Sequence, residues 1–139
     1  MIVLDTNVIS ELMRPQPDAS VIGWMDRQPM RSIWTTTVTL YELRSGILSM
    51  PAGKKRTMLN EFFERWLETV LEKRILDFDT EAAERAAEIT AVRKAKGRPV
   101  EARDTMIAGI MLANHATLAT RNVRHFEEIA KSVVNPWKV

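Results

Sequence analysis

The sequence predicts an α/β fold in which a parallel sheet of four to five strands is covered by helices on both faces. Short stretches of β-branched and aliphatic residues, each too short for a helix, alternate with longer segments whose apolar residues recur at helical spacing. Strands separated by helices pair in parallel, and a parallel sheet needs cover on both faces. The 139 residues suit a single domain over 1–139, and the sequence contains no internal repeat or linker.

The first half of the chain begins with a predicted strand at 2–4. Asp5, Thr6 and Asn7 follow this strand and are suited to cap a helix that ends before the prolines at 15 and 17. Asp18 is a good N-cap for a second helix, from 19 to about 27. The next predicted elements are a strand over 32–36, a helix over 37–48, a break at 51–53 and a helix over about 56–73.

The helix over about 56–73 carries a broad apolar stripe. Such a stripe indicates core or a dimer surface rather than a cofactor site. Its members are Leu59, Phe62, Phe63, Trp66, Leu67, Val70 and Leu71.

The second half begins with a predicted strand at 75–78. Thr80 is predicted to cap an alanine-rich helix that runs to 96, and Gly97 is a natural stop after it. A helix over 102–114 is apolar nearly all round beyond its first turn and is expected to be the most buried one. A strand over 117–120, a short helical turn anchored by Phe126 and a strand at 133–134 complete the prediction.

The absence of cysteine excludes disulfides, thiol nucleophiles and thiolate metal sites. It fits a reducing compartment, and we expect a cytoplasmic protein. No segment has the apolar length of a membrane helix, so no membrane association is expected. The first residues include a carboxylate at position 5 and no basic lead, unlike a signal peptide.

The net charge of +2 is too small to indicate nucleic-acid binding by itself. Basic clusters at 54–56 and 93–98 have two interpretations: solvated helix ends, or a rim that faces phosphate groups. Arg44, Arg121 and Arg124 likewise either contact RNA phosphate or extend into solvent.

Two carboxylates are candidates for a functional site in the first half of the chain. Asp5 lies at the carboxyl end of the first predicted strand, where open parallel sheets bind ligands, although it is also a plausible helix cap. Glu42 lies in a helix and has no Lys or Arg three or four residues away. It is either an exposed glutamate or part of a site.

Asp104 begins the most apolar helix, where it either complements the helix dipole or lies at the rim of a buried site. Burial of an unpaired carboxylate is costly, so we expect a cation beside it. The neighbouring Arg103 is predicted to point to a different face. Asn122 follows a predicted strand as Asp5 does, and is otherwise a turn residue or N-cap. The site hypothesis requires these distant acids to converge and to share a cation, rather than each having its own basic partner.

Four stretches of the sequence, "MIVLDTNVISEL", "YELRSGI", "ARDTMIAGIMLANHATLATRN" and "VVNPW", together resemble the PIN domain, and within it the VapC and FitB-like toxins. The resemblance spans essentially the whole chain in the right order. It implies a three-layer α/β/α fold and a metal-dependent endoribonuclease, a hydrolase of phosphodiester bonds. Matched by position, the catalytic and metal-binding acids are Asp5, Glu42 and Asp104, the fourth and commonly acidic catalytic position is Asn122, and the supporting hydroxyls are Thr6 and Thr120.

Three carboxylates without sulfur ligands favour a hard cation, Mg²⁺, for which Mn²⁺ would substitute. Such an ion activates water for in-line attack on a phosphodiester. Asn122 brings no charge, so we expect one tightly held ion and a second ion recruited with the substrate.

The resemblance also implies partners. They are an RNA substrate and a cognate antitoxin that covers the pocket and reaches promoter DNA, so that DNA is contacted only through the antitoxin. A homodimer is also expected. Helices rich in large apolar residues are candidate surfaces for both protein contacts, through Trp24, Met25, Phe62, Phe63 and Trp66.

Two alternatives remain open at this point. A PIN-like binding subunit would join its antitoxin on promoter DNA with little nuclease activity, and Asn122 keeps this alternative open. A phosphoacceptor or phosphatase domain also has an Asp after its first strand. "LDTN" lacks the second acid two residues after Asp5, which counts against a phosphatase, and no acidic pair precedes Asp5, which counts against a phosphoacceptor. His115 is expected either to cap the C-terminus of the preceding helix or to lie at the edge of the core, and His125 either has a structural role or approaches the pocket.

Overall fold

The structure, a computed structural model, describes residues 1–139 and contains a five-stranded parallel sheet flanked by helices. The predicted α/β fold is therefore confirmed. The strands lie in the order β3-β2-β1-β4-β5. They are β1 (Ile2–Leu4), β2 (Ile33–Thr36), β3 (Ile75–Leu76), β4 (Thr117–Ala119) and β5 (Val133–Val134). The helices are α1 (Thr6–Leu12), α2 (Ala19–Asp26), α3 (Thr37–Leu48), α4 (Lys54–Thr69), α5 (Thr80–Ala95), α6 (Ala102–Asn114) and α7 (Val123–Phe126).

Side-chain alternation along the strands divides the core between the two faces of the sheet. Leu4 and Ala119 pack with α1, α2, α3 and α4 on one face. Val3 and Leu118 pack with α5, α6 and α7 on the other face. The central strands are therefore apolar on both sides, as a covered parallel sheet requires.

Most predicted helix ends are confirmed by their caps. The carboxylates of Asp5 and Asp18 accept hydrogen bonds from the first-turn amides of α1 and α2. His115 caps α6 in a left-handed conformation with φ of 52°. The prediction for α5 was wrong by one residue: Asp79, not Thr80, is the N-cap, because its carboxylate accepts the amide of Ala82 at 3.0 Å.

Several predicted boundaries shift by a few residues. The third strand ends at Leu76 rather than at residue 78, because the amide of Phe78 leaves the ladder and donates to the Thr37 hydroxyl at 3.2 Å. The second strand begins one residue late, since Ser32 completes a 3₁₀ turn. Helix α4 begins at Lys54 and ends at Thr69, and positive φ angles of 48° and 61° at positions 72 and 73 mark the reversal after it.

Helix α6 is heavily buried, as predicted, with seven of its 13 residues buried. Gly109 lets α6 approach α5 closely: a Cβ at this position would meet the backbone of Ala82 and lie 3.0 Å from the Cβ of Ala86. No helix in the structure is long and apolar enough to cross a membrane.

The parallel register brings the ends of the central strands to one edge of the sheet, here called the carboxyl edge. Leu4 pairs with Ala119, so Asp5 and Thr120 leave the sheet side by side. Helix α3 starts at this edge because it directly follows β2. The first turn of α6 also reaches this edge, where Arg103 contacts Asp5. Four segments that are distant in sequence therefore converge at this edge.

Candidate active site

Asp5 is fixed at the carboxyl edge by hydrogen bonds to both of its carboxylate oxygens. Oδ1 accepts the amide of Thr6 at 2.8 Å, and Oδ2 accepts the hydroxyl of Thr120 at 2.8 Å. The side chain is fully buried. Thr120 thus holds one oxygen of Asp5 through its hydroxyl.

Glu42 reaches the same edge from the second turn of α3. Its Oε1 accepts a hydrogen bond from the Thr6 hydroxyl at 2.7 Å, which links α3 to the first turn of α1. The Glu42 side chain is 31% exposed, so this acid lies at the border between the buried site and solvent.

The guanidinium of Arg103 lies between the three carboxylates of Asp5, Glu42 and Asp104, which we call the acid cluster. Its Nε donates to Glu42 at 2.7 Å and its Nη1 donates to Asp104 at 2.8 Å. Its Nη2 donates to Asp5 and, at 3.1 Å, to the Thr6 hydroxyl. The prediction that Arg103 points away from Asp104 was therefore wrong.

The error has a simple physical cause. Adjacent residues diverge around a helix, and this rule led to the expectation of separate faces. Arg103 lies in the first turn of α6, however, where its long side chain can turn back over the helix end toward the buried carboxylates. The useful signal was the expectation that Asp104 needs a cation, since Arg103 is the nearest basic residue in the sequence.

The acid cluster keeps the guanidinium charged. Partial burial works to lower the pKa of Arg103, but the charge of Asp5 and hydrogen bonds to Asp5, Glu42 and Asp104 raise this pKa above its usual range. A raised pKa means that the pairing stabilises the fold at every pH below the ordinary pKa of arginine. One positive charge therefore remains among the three acids throughout the accessible pH range.

A polar cleft of about 560 Å³ opens over the acid cluster, and Trp137 is the one apolar residue that lines it. The guanidinium of Arg121 lies 5.0 Å from the centre of the Trp137 ring and forms part of the rim. His125 reaches the pocket, because its Nδ1 lies 3.2 Å from Oδ2 of Asp104. Arg14 pairs with the buried Glu11 at 3.3 Å on another side of the cleft.

Asn122 lines the cleft and is the N-cap residue of α7. Its backbone amide donates to the Thr120 hydroxyl at 3.1 Å, while its side chain makes no capping hydrogen bond. Asn7 was not predicted as a site residue, yet its side chain donates to Thr120 at 3.3 Å and accepts the amide of Arg121 at 3.2 Å. Arg44 contacts Asn60 and Glu64 on α4, which favours a structural role for it over RNA contact.

The donor set of the acid cluster suits a hard divalent cation, because every ligand atom is a carboxylate oxygen. In the structure, however, the guanidinium of Arg103 lies among these oxygens. Each acid contacts a different nitrogen of Arg103, and no three acidic or histidine side chains lie close enough to share one ion. The chemistry of the residues fits a metal, and the position between them is taken by an arginine.

Comparison with known proteins identifies relatives along the whole chain. The model of the PIN domain family matches residues 2–132. Similar proteins include the plasmid stability protein StbB of Pseudomonas syringae pv. tomato, which is 44% identical over 138 residues. The VapC ribonuclease Y4jK of Sinorhizobium fredii is 38% identical over 138 residues, and the toxin FitB of Neisseria gonorrhoeae is 37% identical over 137 residues. Each alignment covers 99% of this chain and 99% of the relative.

Solved structures agree with the sequence relatives. The crystal structure of FitAcB from Neisseria gonorrhoeae matches with a TM-score of 0.92 and 37% identity, over 100% of both chains. A structure of FitAB bound to a DNA fragment also has a TM-score of 0.92, with 36% identity, and covers 100% of this chain and 97% of the other.

Proposed function

The chain belongs to the PIN domain family, and from this premise we propose that it is a divalent-metal-dependent endoribonuclease and the toxin of a toxin–antitoxin pair. The observation that carries the proposal is the convergence of the acid cluster around one cation at the carboxyl edge. Relatives of full length named as a ribonuclease and as a toxin support the same conclusion.

Asp5, Glu42 and Asp104 are the residues that would hold the ion, with Mg²⁺ preferred and Mn²⁺ able to substitute. When bound, such an ion supplies Lewis-acid polarisation of the phosphodiester and an activated water for its hydrolysis. Asn122 lines the same cleft and offers a neutral carbonyl oxygen at the fourth position. Because this oxygen carries no charge, a site with Asn122 should hold one ion tightly and a second ion less well.

The remaining side chains position the acids and the RNA. Thr120 fixes one oxygen of Asp5, and Thr6 joins Asp5 to Glu42 through its amide and its hydroxyl. Arg121 at the rim carries a charge suited to an RNA phosphate, and the neighbouring ring of Trp137 offers a flat surface to a base.

The partners that we propose are a cognate antitoxin that covers the cleft, promoter DNA that is contacted through this antitoxin, and a second copy of the chain. A complex of FitAB with a DNA fragment supports an assembly of this kind. Exposed apolar side chains on α3 and α4, which include Tyr41, Leu48, Met58 and Phe62, provide surface for such contacts.

RNA cleavage by the purified protein tests the catalytic proposal. We expect cleavage of a mixed RNA substrate with Mg²⁺ or Mn²⁺ and none with EDTA. Asp5→Asn should lower the rate at least about 100-fold, because it removes a ligand charge while the amide oxygen still accepts the Thr6 amide.

Asp26→Asn is the matched control, because it removes the same charge from an exposed position at the end of α2. Melting curves of both variants establish that the fold is retained. Equal cleavage by wild type and a folded Asp5→Asn variant would rule out the proposed active site and point to a contaminating nuclease.

A further inference from the structure

Arg103 takes the place among the acids that a bound cation requires. Its guanidinium contacts all three carboxylates through three different nitrogens. Two of these acids, Asp5 and Asp104, have side chains that are 0% and 6% exposed. Unpaired buried carboxylates are costly, and the positive charge of the guanidinium offsets the repulsion among them.

The same contacts direct the three acids to three different nitrogens of one group. The guanidinium is a planar group with nitrogens on three sides, and each acid is drawn to a different side of it. No three metal-binding side chains share one point in the structure. A compact ion needs oxygens at about 2.1 Å from a single centre, and this arrangement is incompatible with the guanidinium in its present place.

We infer that Arg103 is an internal counter-ion that competes with the divalent metal, so that the metal binds only when the guanidinium withdraws from the acid cluster. The inference extends the proposed function, because the competing ion is the one that the proposed nuclease uses. It assigns to Arg103 a regulatory role in metal loading and no contact with the reacting atoms.

The surroundings of Arg103 allow such a withdrawal. Its side chain is 25% exposed and lines the polar cleft, so it has a path to solvent. Every hydrogen bond of its guanidinium goes to a side chain, three of them to the acids themselves and one to Thr6. None goes to the backbone, so withdrawal leaves the main chain of α1, α3 and α6 intact.

The expected size of the effect follows from a population argument. If only the withdrawn state binds metal, the apparent dissociation constant exceeds the intrinsic one by the inverse of the withdrawn fraction. If the guanidinium is withdrawn in about a tenth of the molecules or fewer, the apparent metal affinity is therefore lower than the intrinsic affinity by about tenfold or more.

Calorimetric titration with Mn²⁺ in the absence of RNA measures this competition directly. We expect Arg103→Gln to bind Mn²⁺ about tenfold more tightly than the wild type, or better. Arg103→Lys, which keeps the charge but offers a single nitrogen, should fall between the two. Arg121→Gln is the matched control, because it removes the same charge from the rim of the same cleft without touching the acids.

Thermal unfolding in EDTA provides a second measurement that is independent of metal affinity. Without a counter-ion the buried acids repel one another, so Arg103→Gln should melt about 5 °C or more below the wild type. Saturating Mn²⁺ should then raise the melting temperature of Arg103→Gln more than that of the wild type. Equal melting in EDTA would overturn the counter-ion role.

If Arg103→Gln binds Mn²⁺ no more tightly than the wild type does, the inferred competition between Arg103 and the metal is wrong. The inference is also wrong if Arg121→Gln gains as much Mn²⁺ affinity as Arg103→Gln. The cause would then be the loss of one positive charge from the cleft, and not competition for the position among the acids. These results are separate from the nuclease test. Wild-type RNA cleavage without a gain in Arg103→Gln affinity rejects the inference alone, and tight metal binding without cleavage rejects the proposed function alone.

Discussion

Arg74 and Arg103 hold opposite edges of the same sheet, and they differ in the groups that they bind. At the amino edge, Arg74 donates to the backbone carbonyls of Ile33 at 2.8 Å, Met30 at 2.8 Å and Val70 at 2.7 Å. It thereby joins the start of β2, the turn before it and the end of α4. At the carboxyl edge, the partners of Arg103 are side chains, and three of them are carboxylates.

The difference separates a structural arginine from an exchangeable one. Backbone carbonyls at the ends of helices, turns and strands need a hydrogen-bond donor and carry no net charge, so a small cation in water is a poor replacement for the guanidinium. Carboxylates carry net charge and accept any suitable cation. Metal should therefore compensate for the loss of the arginine at the carboxyl edge and not at the amino edge. The changes below test that contrast in order of decreasing effect.

Asp104→Asn should produce the largest effect, because it removes one carboxylate from the acid cluster. We expect the initial rate of RNA cleavage with Mg²⁺ to fall at least about 100-fold. Glu101→Gln is the control: it removes a charge from an exposed side chain that lines the same cleft and makes no cap hydrogen bond. Similar losses in the two variants would mean that overall charge, and not the acid cluster, controls the rate.

Arg74→Gln should destabilise the fold regardless of metal. Loss of a charged donor to three carbonyls should lower the free energy of unfolding by about 2 kcal/mol. Urea unfolding with and without Mn²⁺ measures this change, with the exposed Arg31→Gln as the charge-matched control. Recovery of Arg74→Gln by Mn²⁺ would contradict the distinction between the two edges.

Thr120→Val tests how firmly the carboxyl edge holds Asp5. The hydroxyl donates to Asp5 and accepts the amide of Asn122, so its loss should lower the free energy of unfolding by about 1 kcal/mol. Mn²⁺ affinity should fall by about tenfold, because Asp5 loses the group that orients it. The control is Thr90→Val on α5, whose hydroxyl donates to the Ala86 carbonyl at 3.0 Å. Unchanged affinity in Thr120→Val would show that Asp5 is positioned without this hydroxyl.

Asn122→Asp should have the smallest effect, and in the opposite direction. A fourth carboxylate at the cleft should tighten Mn²⁺ binding by about two- to threefold, since exposed charges contribute little. Titration calorimetry reports the affinity and also the stoichiometry, which shows whether a second ion binds. Weaker binding in this variant would argue that Asn122 is a turn residue without a part in the site.

Local sequence signals determined most of the fold. The predicted bounds of α6 at 102–114 and of β5 at 133–134 agree with the structure, and Asp5, Asp18 and His115 cap helices as expected. Hydrophobic periodicity and capping act over a few residues, so they can be read without knowing the rest of the chain. The misplaced cap at Thr80 shows the limit, since Asp79 and Thr80 are both good caps and one hydrogen bond decides between them.

The sequence by itself determined the parallel α/β fold and the three acids that its strand and helix ends present. Only the tertiary structure decided what lies between those acids. Arg103 meets Asp5 across 98 positions and Glu42 across 61, a separation over which neither helical spacing nor capping carries information. The long, flexible side chain of an arginine binds where negative charge is concentrated nearby, and only the folded chain determines where the acids come together.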